Sequence, residues 1–189
     1  MLGGVTIKRV PTGIYARHRF EAMDVGSRIN LGGGCTLVPL GPEDSEWVDE
    51  TARSIFFDVY PYETRELVEE FLQLTQSSGA VRQQMADGMR YMRIDLDGAP
   101  VGYTAFSASG NVAELSKLYL FKAHRGRGIG SKVMDYIEDE AHRAGCRAVS
   151  LDVNFRNKRA ISLYQGRGYR QTCTTGIDYH RIVMEKTLS

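Results

Sequence analysis

Cysteine and long apolar runs are scarce in this chain, and each scarcity removes a class of protein. The three cysteines, Cys35, Cys146 and Cys173, are odd in number, far apart and without a CxxC spacing, so neither a disulfide framework nor a zinc site is indicated. The histidines at 18, 124, 142 and 180 fall in no ligand spacing, and no metal is expected. No stretch approaches the roughly 20 apolar residues of a membrane span, nor the apolar segment of a signal peptide. The expectation is a cytoplasmic protein without a membrane partner. A formal charge of +1 lacks the global basic excess of a nucleic-acid binder, so nucleic acid is not an expected partner.

What is present suits one domain preceded by an extension. Residues 1–34 carry Lys8, Arg9, Arg17, Arg19 and Arg28 against Glu21 and Asp24 and end in a glycine run. They read as a basic tail, in which "TIKRV" is either a short added strand or plain tail. Residues 35–189 form the domain. "CTLVPL" reads as a strand, and "GPEDSEWVDETARSIFFDV" as a helix opened by proline and acids. "ETRELVEEFLQLTQ" is a second helix with Leu67, Phe71 and Leu74 as its apolar stripe. Asp97-Gly98 between two alternating segments makes "MRYMRIDLDGAPVGYTAFSAS" a hairpin, and "NVAELSKLYLF" is the next strand. A helix with Ile129, Val133, Tyr136, Ile137 and Ala144 on one side stops at Gly145. "RAVSLDV" is a strand, Asn157 to Gln165 a short helix, and "YRQTCTT" and "RIVMEKTL" are closing strands. One βαβ unit inside an otherwise antiparallel order implies a mixed α/β sheet.

"HRGRGIGSK" places Gly126, Gly128 and Gly130 between an apolar strand and a helix. A P-loop needs GxxxxGK followed by Ser or Thr, whereas Ser131 precedes Lys132 here. A dinucleotide fingerprint needs GxGxxG, and Ser131 stands where its third glycine would fall. What remains is a strand turning through open amides into a helix N-terminus, flanked by Arg125, Arg127 and Lys132. Such a place favours an anion of the pyrophosphate kind. Residues 120–170 hold eleven Lys and Arg against five Asp and Glu, which suits a polyanionic ligand.

Arg125-x-x-Gly128-x-Gly130 after "LSKLYLF", followed by Asn157, Ala160, Leu163-Tyr164 and Gly168-Tyr169 in "LDVNFRNKRAISLYQGRGY", resembles the Gcn5-related N-acetyltransferase (GNAT) superfamily over roughly residues 35–188. Lys122 stands where many members have proline, and Tyr169 where phenylalanine is frequent. The resemblance implies a mostly antiparallel sheet flanked by helices, with two central parallel strands splayed around the cofactor. It implies an acyltransferase that binds acetyl-CoA at Arg125, Gly126, Arg127, Gly128, Ile129, Gly130 and Ser131. Backbone pairing with the pantetheine arm falls to Leu118, Tyr119 and Leu120, and a further contact to Asn157, which also reads as a helix N-cap. Many relatives are homodimers, which is the basis for expecting one.

An alkylamine with a pKa of about 10.4 is neutral in only about one molecule in a few thousand at pH 7, so acetyl transfer to it profits from a base. The resemblance assigns that role to Glu114. Strand alternation places Glu114 with Ser116, Leu118 and Leu120, unless a bulge shifts the register. It assigns Tyr164 to the CoA sulfur as proposed acid. A phenol is a poor acid toward a thiolate, so hydrogen bonding to the developing charge is the sounder description. Cys146 has no paired histidine motif and reads as packing, which favours direct transfer in a ternary complex.

The helices of residues 41–80 carry ten acids against Arg53 and Arg65. In the family this segment borders the acceptor groove, so a small cationic amine is expected, with Asp58, Tyr60 and Tyr62 as its contacts. A protein or peptide acceptor, a non-catalytic acyl-CoA-binding regulatory domain, and an arm of residues 1–34 that contacts RNA are the competing readings.

Overall fold

The structure, a computed structural model, describes residue 20, residues 24–25, residues 27–174 and residues 181–189. "TIKRV" lies outside the described residues. Eight strands among them form one sheet: β1 (Ile29–Gly32), β2 (Cys35–Pro39), β3 (Arg90–Leu96), β4 (Ala99–Ser109), β5 (Val112–Leu120), β6 (Ala148–Asn154), β7 (Arg170–Thr174) and β8 (Arg181–Thr187). Their order is β1-β2-β3-β4-β5-β6-β8-β7, and only β5 and β6 pair in parallel. The hairpin at Asp97-Gly98 forms because both residues take positive φ, 51° and 83°, as a two-residue turn between twisted strands requires.

Helices α1 (Ser45–Val59), α2 (Arg65–Thr75) and α3 (Ser78–Ala86) cover one face of the sheet, with Val48, Ala52, Phe56, Val68, Leu72 and Val81 packed on Tyr91 and Tyr103. Helices α4 (Ile129–Arg143) and α5 (Lys158–Gly166) cover the other, where Val133, Met134 and Ile137 meet Leu115, Val149 and Leu151. Among the described residues no helix is long and apolar enough to cross a membrane.

Three sequence expectations change. β1 lies within the segment read as an extension: Ile29 pairs with Leu37, so the sheet begins before residue 35. α3 was not foreseen, because its nine residues offer little apolar periodicity; it is set by the Ser77 hydroxyl capping the Ala80 amide and by the Ser78 amide on Asp49. In α2 the buried residues are Val68 and Leu72, while Leu67 and Leu74 face solvent. Two apolar stripes one residue apart compete on that helix, and packing on α1 and the sheet selects the second.

Candidate active site

The parallel pairing of β5 and β6 runs only from Val112–Ala148 to Leu115–Leu151. Beyond it the strands part. The cause lies on the other side of β5, where Ala105 faces Lys117 and Phe106 faces Leu115, leaving Ser116 as an extra residue. Such a bulge sharpens the local twist and turns every later side chain over. Ala113 and Leu115 precede it and Leu118 and Leu120 follow it on the α4 face, while Lys117 and Tyr119 turn to the α1 face.

A cavity of about 430 Å³ fills the opening. From the α4 side it is lined by Arg125, Gly126, Gly128, Gly130 and Ser131, and by Asn157, Arg159, Ala160, Leu163 and Tyr164 of the α5 region. From the opposite side come Asp58, Val59 and Tyr60 at the end of α1, Asp152 of β6 and Arg181 of β8. β5 supplies residues 115–120 as one wall. The cavity therefore passes through the sheet from one helical layer to the other.

The glycine end is built to hold an anion. Gly126 and Gly128 both have φ of 79°, which lets the chain enter α4 with its first amides uncovered. A Cβ on Gly126 would stand 2.4 Å from the Arg159 guanidinium, so that arginine lies directly on the loop. Arg125 donates through Nε to the Leu120 carbonyl at 2.8 Å, and its buried Nη2 has no partner. The cations at this end are Arg125 and Arg159. Lys132 instead donates to the Gly32 carbonyl of the β1–β2 turn, and exposed Arg127 does not line the cavity. The Ile129 side chain is core, which leaves only its backbone at the loop. Asn157 caps α5, its side chain accepting from the Ala160 amide at 3.1 Å, and also lines the cavity.

Tyr164 is buried with its ring 5.9 Å from that of Tyr169, and it borders the cavity. Burial raises its hydroxyl pKa well above the ordinary phenol value, with Tyr60 and Asp152 acting in the same direction. Tyr60 and Tyr119 both line the cavity on the α1 side, and the Tyr119 hydroxyl pKa is raised by burial first and by Tyr60 next. Tyr60 caps α1 and Asp58 belongs to that helix's last turn rather than to the connection. Tyr62 stacks edge-on against Tyr60 and beneath Arg156, off the cavity wall.

Glu114 departs from its expected register. The bulge separates it from Leu118, placing it on the α1 face with Lys117, and it does not line the cavity. Its carboxyl pKa is raised by desolvation and then by Asp152, with Lys117 opposing. Asp152, Arg159, Lys117 and Arg181 line the cavity without having been singled out from the sequence. Asp152 had a signal, as the polar member of the alternating "LDV"; the others depend on the bulge and on strand pairing. Of the ten acids in residues 41–80 only Asp58 reaches the cavity. Asp49 and Glu69 are held by Arg53, and Asp44 accepts from the Gly41 amide. Among the described residues no group of three or more His, Cys, Asp or Glu is placed to hold a metal ion.

The arrangement has counterparts in known proteins. PaiA N-acetyltransferase from Thermoplasma acidophilum, solved in complex with coenzyme A, superposes with a TM-score of 0.73 over 81% of this chain and 98% of its own, at 22% identity. YncA, a putative acetyltransferase from Salmonella typhimurium solved with acetyl-CoA, gives 0.54 over 82% and 95%, at 19% identity. These likenesses concern the fold. In sequence, the aminoalkylphosphonate N-acetyltransferase of Salmonella typhimurium is 31% identical over 61 residues, covering 32% of this chain and 40% of its own length. The thialysine N-epsilon-acetyltransferase of Bos taurus is 39% identical over 54 residues, 29% and 32% of the two chains. The chain thus spans well under two thirds of these relatives. The family model described as the acetyltransferase (GNAT) family matches residues 50–169, which is most of the domain. With the splayed parallel strands and the glycine cradle in place, the chain belongs to the acetyltransferase (GNAT) family.

Proposed function

We propose that the chain is an acetyl-CoA-dependent N-acetyltransferase that moves the acetyl group directly to the primary amine of a small acceptor. The single observation that carries this reading is the continuous cavity joining the glycine cradle to a polar mouth beside α1. The cradle amides, Arg125 and Arg159 suit a pyrophosphate. The free edge of β5 beyond Leu115 suits an extended amide-bearing arm, which would leave a thioester near Tyr164.

In the reaction the amine nitrogen attacks the thioester carbon, the carbon–sulfur bond breaks and the sulfur leaves as thiolate. Tyr164 stabilises that thiolate as a hydrogen-bond donor. Its raised pKa disfavours outright proton transfer, since it makes the phenol a weaker acid still. The proton lost by the amine reaches Glu114 through water, because Glu114 stands off the cavity wall. Neither Cys35 nor Cys146 lines the cavity, which supports a ternary complex over an acyl-enzyme.

The acceptor enters as an ammonium, drawn by Asp58 and Asp152 and by the faces of Tyr60 and Tyr119. Support for a cationic acceptor is local to these groups, since the other acids of α1 and α2 are elsewhere. Relatives named for aminoalkylphosphonate and thialysine acetylation fit a small amine.

Thiol release from acetyl-CoA, measured across diamines, amino acids, simple alkylamines and short peptides, tests the reading. Amine-dependent release that is fastest with small amines is expected. Binding of acetyl-CoA with no release for any amine would identify a non-catalytic acyl-CoA-binding domain, and preference for peptides would move the acceptor class.

A further inference from the structure

Lys117 is a buried lysine on the wall of the cavity, only 7% exposed. The bulge at Ser116 turns it inward to the α1 face, where an unbulged strand would have sent it to the other side. Among the described residues no carboxylate lies within ion-pair distance of its ammonium. Its polar neighbour is the Ser116 hydroxyl, at a long 3.4 Å, and the Tyr91 ring centroid stands 5.9 Å away. Two carboxylates act on it from beyond ion-pair distance, Glu114 first and then Asp152, whose oxygens are also held by Arg181. Burying an ammonium without a direct ion pair costs stability, and an anion brought within contact distance would offset that cost. Burial lowers its pKa to about 8, which still leaves it mostly charged at neutral pH.

Arg181 adds a second cation at the same mouth. Its Nε and Nη2 donate to Asp152, and among the described residues its Nη1 makes no hydrogen bond. We infer that Lys117, with Arg181, forms a subsite for an anionic group on the acceptor, so that the preferred acceptors are zwitterions carrying a carboxylate or phosphonate a few bonds from the reacting amine. The inference rests on the acetyltransferase reading and narrows its substrate class. The amine end is received by Asp58 and Asp152, and the anion supplies the direct ion pair that Lys117 lacks among the described residues.

The test compares three acceptors of matched chain length, propylamine, β-alanine and 3-aminopropylphosphonate, in wild type and in Lys117→Met. Methionine keeps the length of the stem and removes the charge, and calorimetric titration with CoA shows whether the variant still folds and binds cofactor. In wild type, kcat/KM for at least one of the two zwitterions should exceed that for propylamine by tenfold or more; which one leads distinguishes a carboxylate from a phosphonate site. Lys117→Met should shrink that ratio at least tenfold, mainly through KM. A wild-type enzyme that prefers propylamine, or a variant that slows all three acceptors by the same factor, overturns the anionic subsite. In either case amine-dependent thiol release persists, so failure here is separable from failure of the acetyltransferase reading. Should Lys117→Met not bind CoA, Lys117→Gln is assayed on the same three acceptors with the same criteria.

Discussion

Arg181, the first residue of β8, holds both carboxylate oxygens of Asp152 on β6, with Nη2 to Oδ1 at 2.9 Å, while its guanidinium carbon stands 5.9 Å from the Phe71 ring centroid of α2. One side chain thus ties two strands and a helix together at the acceptor end of the cavity. Asp152 is partly exposed, so the pair is worth about 1 kcal/mol rather than the several of a dry ion pair. Arg181→Ala should lower the melting temperature by about 2–4 °C. A thermal melt checks this, and an unchanged midpoint would mean that the pair adds nothing to stability.

Gly102 lies on β4 opposite Leu120, where a Cβ would stand 2.1 Å from the Tyr119 carbonyl. Backbone cannot yield as a side-chain tip does. Gly102→Ala should push β5 away from β4, costing about 1–3 kcal/mol and weakening CoA binding because the displaced strand is the cavity wall. Denaturant midpoint and calorimetry together report both effects.

Gly128 is the opposite case. Its φ is 79° with open space around the position of a Cβ. Gly128→Ala should therefore cost only about 1 kcal/mol of backbone strain. Gly128→Asp adds a negative charge where the pyrophosphate is proposed to sit, and should abolish CoA binding while the fold persists. Calorimetric CoA affinity equal to wild type would remove the loop from the site.

Tyr164→Phe keeps the packing against Tyr169 and deletes the hydroxyl. Turnover should fall by more than tenfold with little change in CoA affinity, the pattern of an interaction made in the transition state. Steady-state kinetics beside a CoA titration separate the two, and unchanged turnover would assign thiolate stabilisation to another group.

Lys117 makes a signed prediction about pH. Its folded pKa of about 8 lies below the ordinary value of about 10.4, so between those values the unfolded chain binds more protons and stability rises with pH. Below pH 8 the lysine is charged in both states and its burial penalty is fully present. Lys117→Met should be the more stable protein at pH 7, by up to roughly 3 kcal/mol, and the gap should narrow as pH rises from 8 to 10. Paired denaturant titrations at pH 7 and 9.5 measure the gap; an equal gap at both would contradict the burial argument.

Features set by neighbours in sequence were legible beforehand. The Asp97-Gly98 hairpin, the turn through Gly126 and Gly128 into α4, and the Asn157 cap each depend on a few adjacent residues. The acceptor end was not legible in this way. Lys117, Asp152 and Arg181 come from three strands, and they meet because β6 pairs with β8 and because one bulge reverses β5 after Leu115. That bulge carries no glycine or proline to announce it. It also explains Glu114, whose expected alignment with Leu118 assumed an unbroken alternation. The acid-rich helices misled for a related reason: composition gives their charge, but only packing decides that Asp58 alone turns to the cavity.

The central claim is that one acetyl group passes directly from CoA to an amine inside this cavity. A matrix of initial rates, varying acetyl-CoA against the best amine of the panel, tests it most directly. Direct transfer in a ternary complex predicts amine-dependent thiol release with double-reciprocal lines that intersect. Parallel lines accompanied by an acetylated enzyme, or the absence of any amine-dependent release, would contradict it.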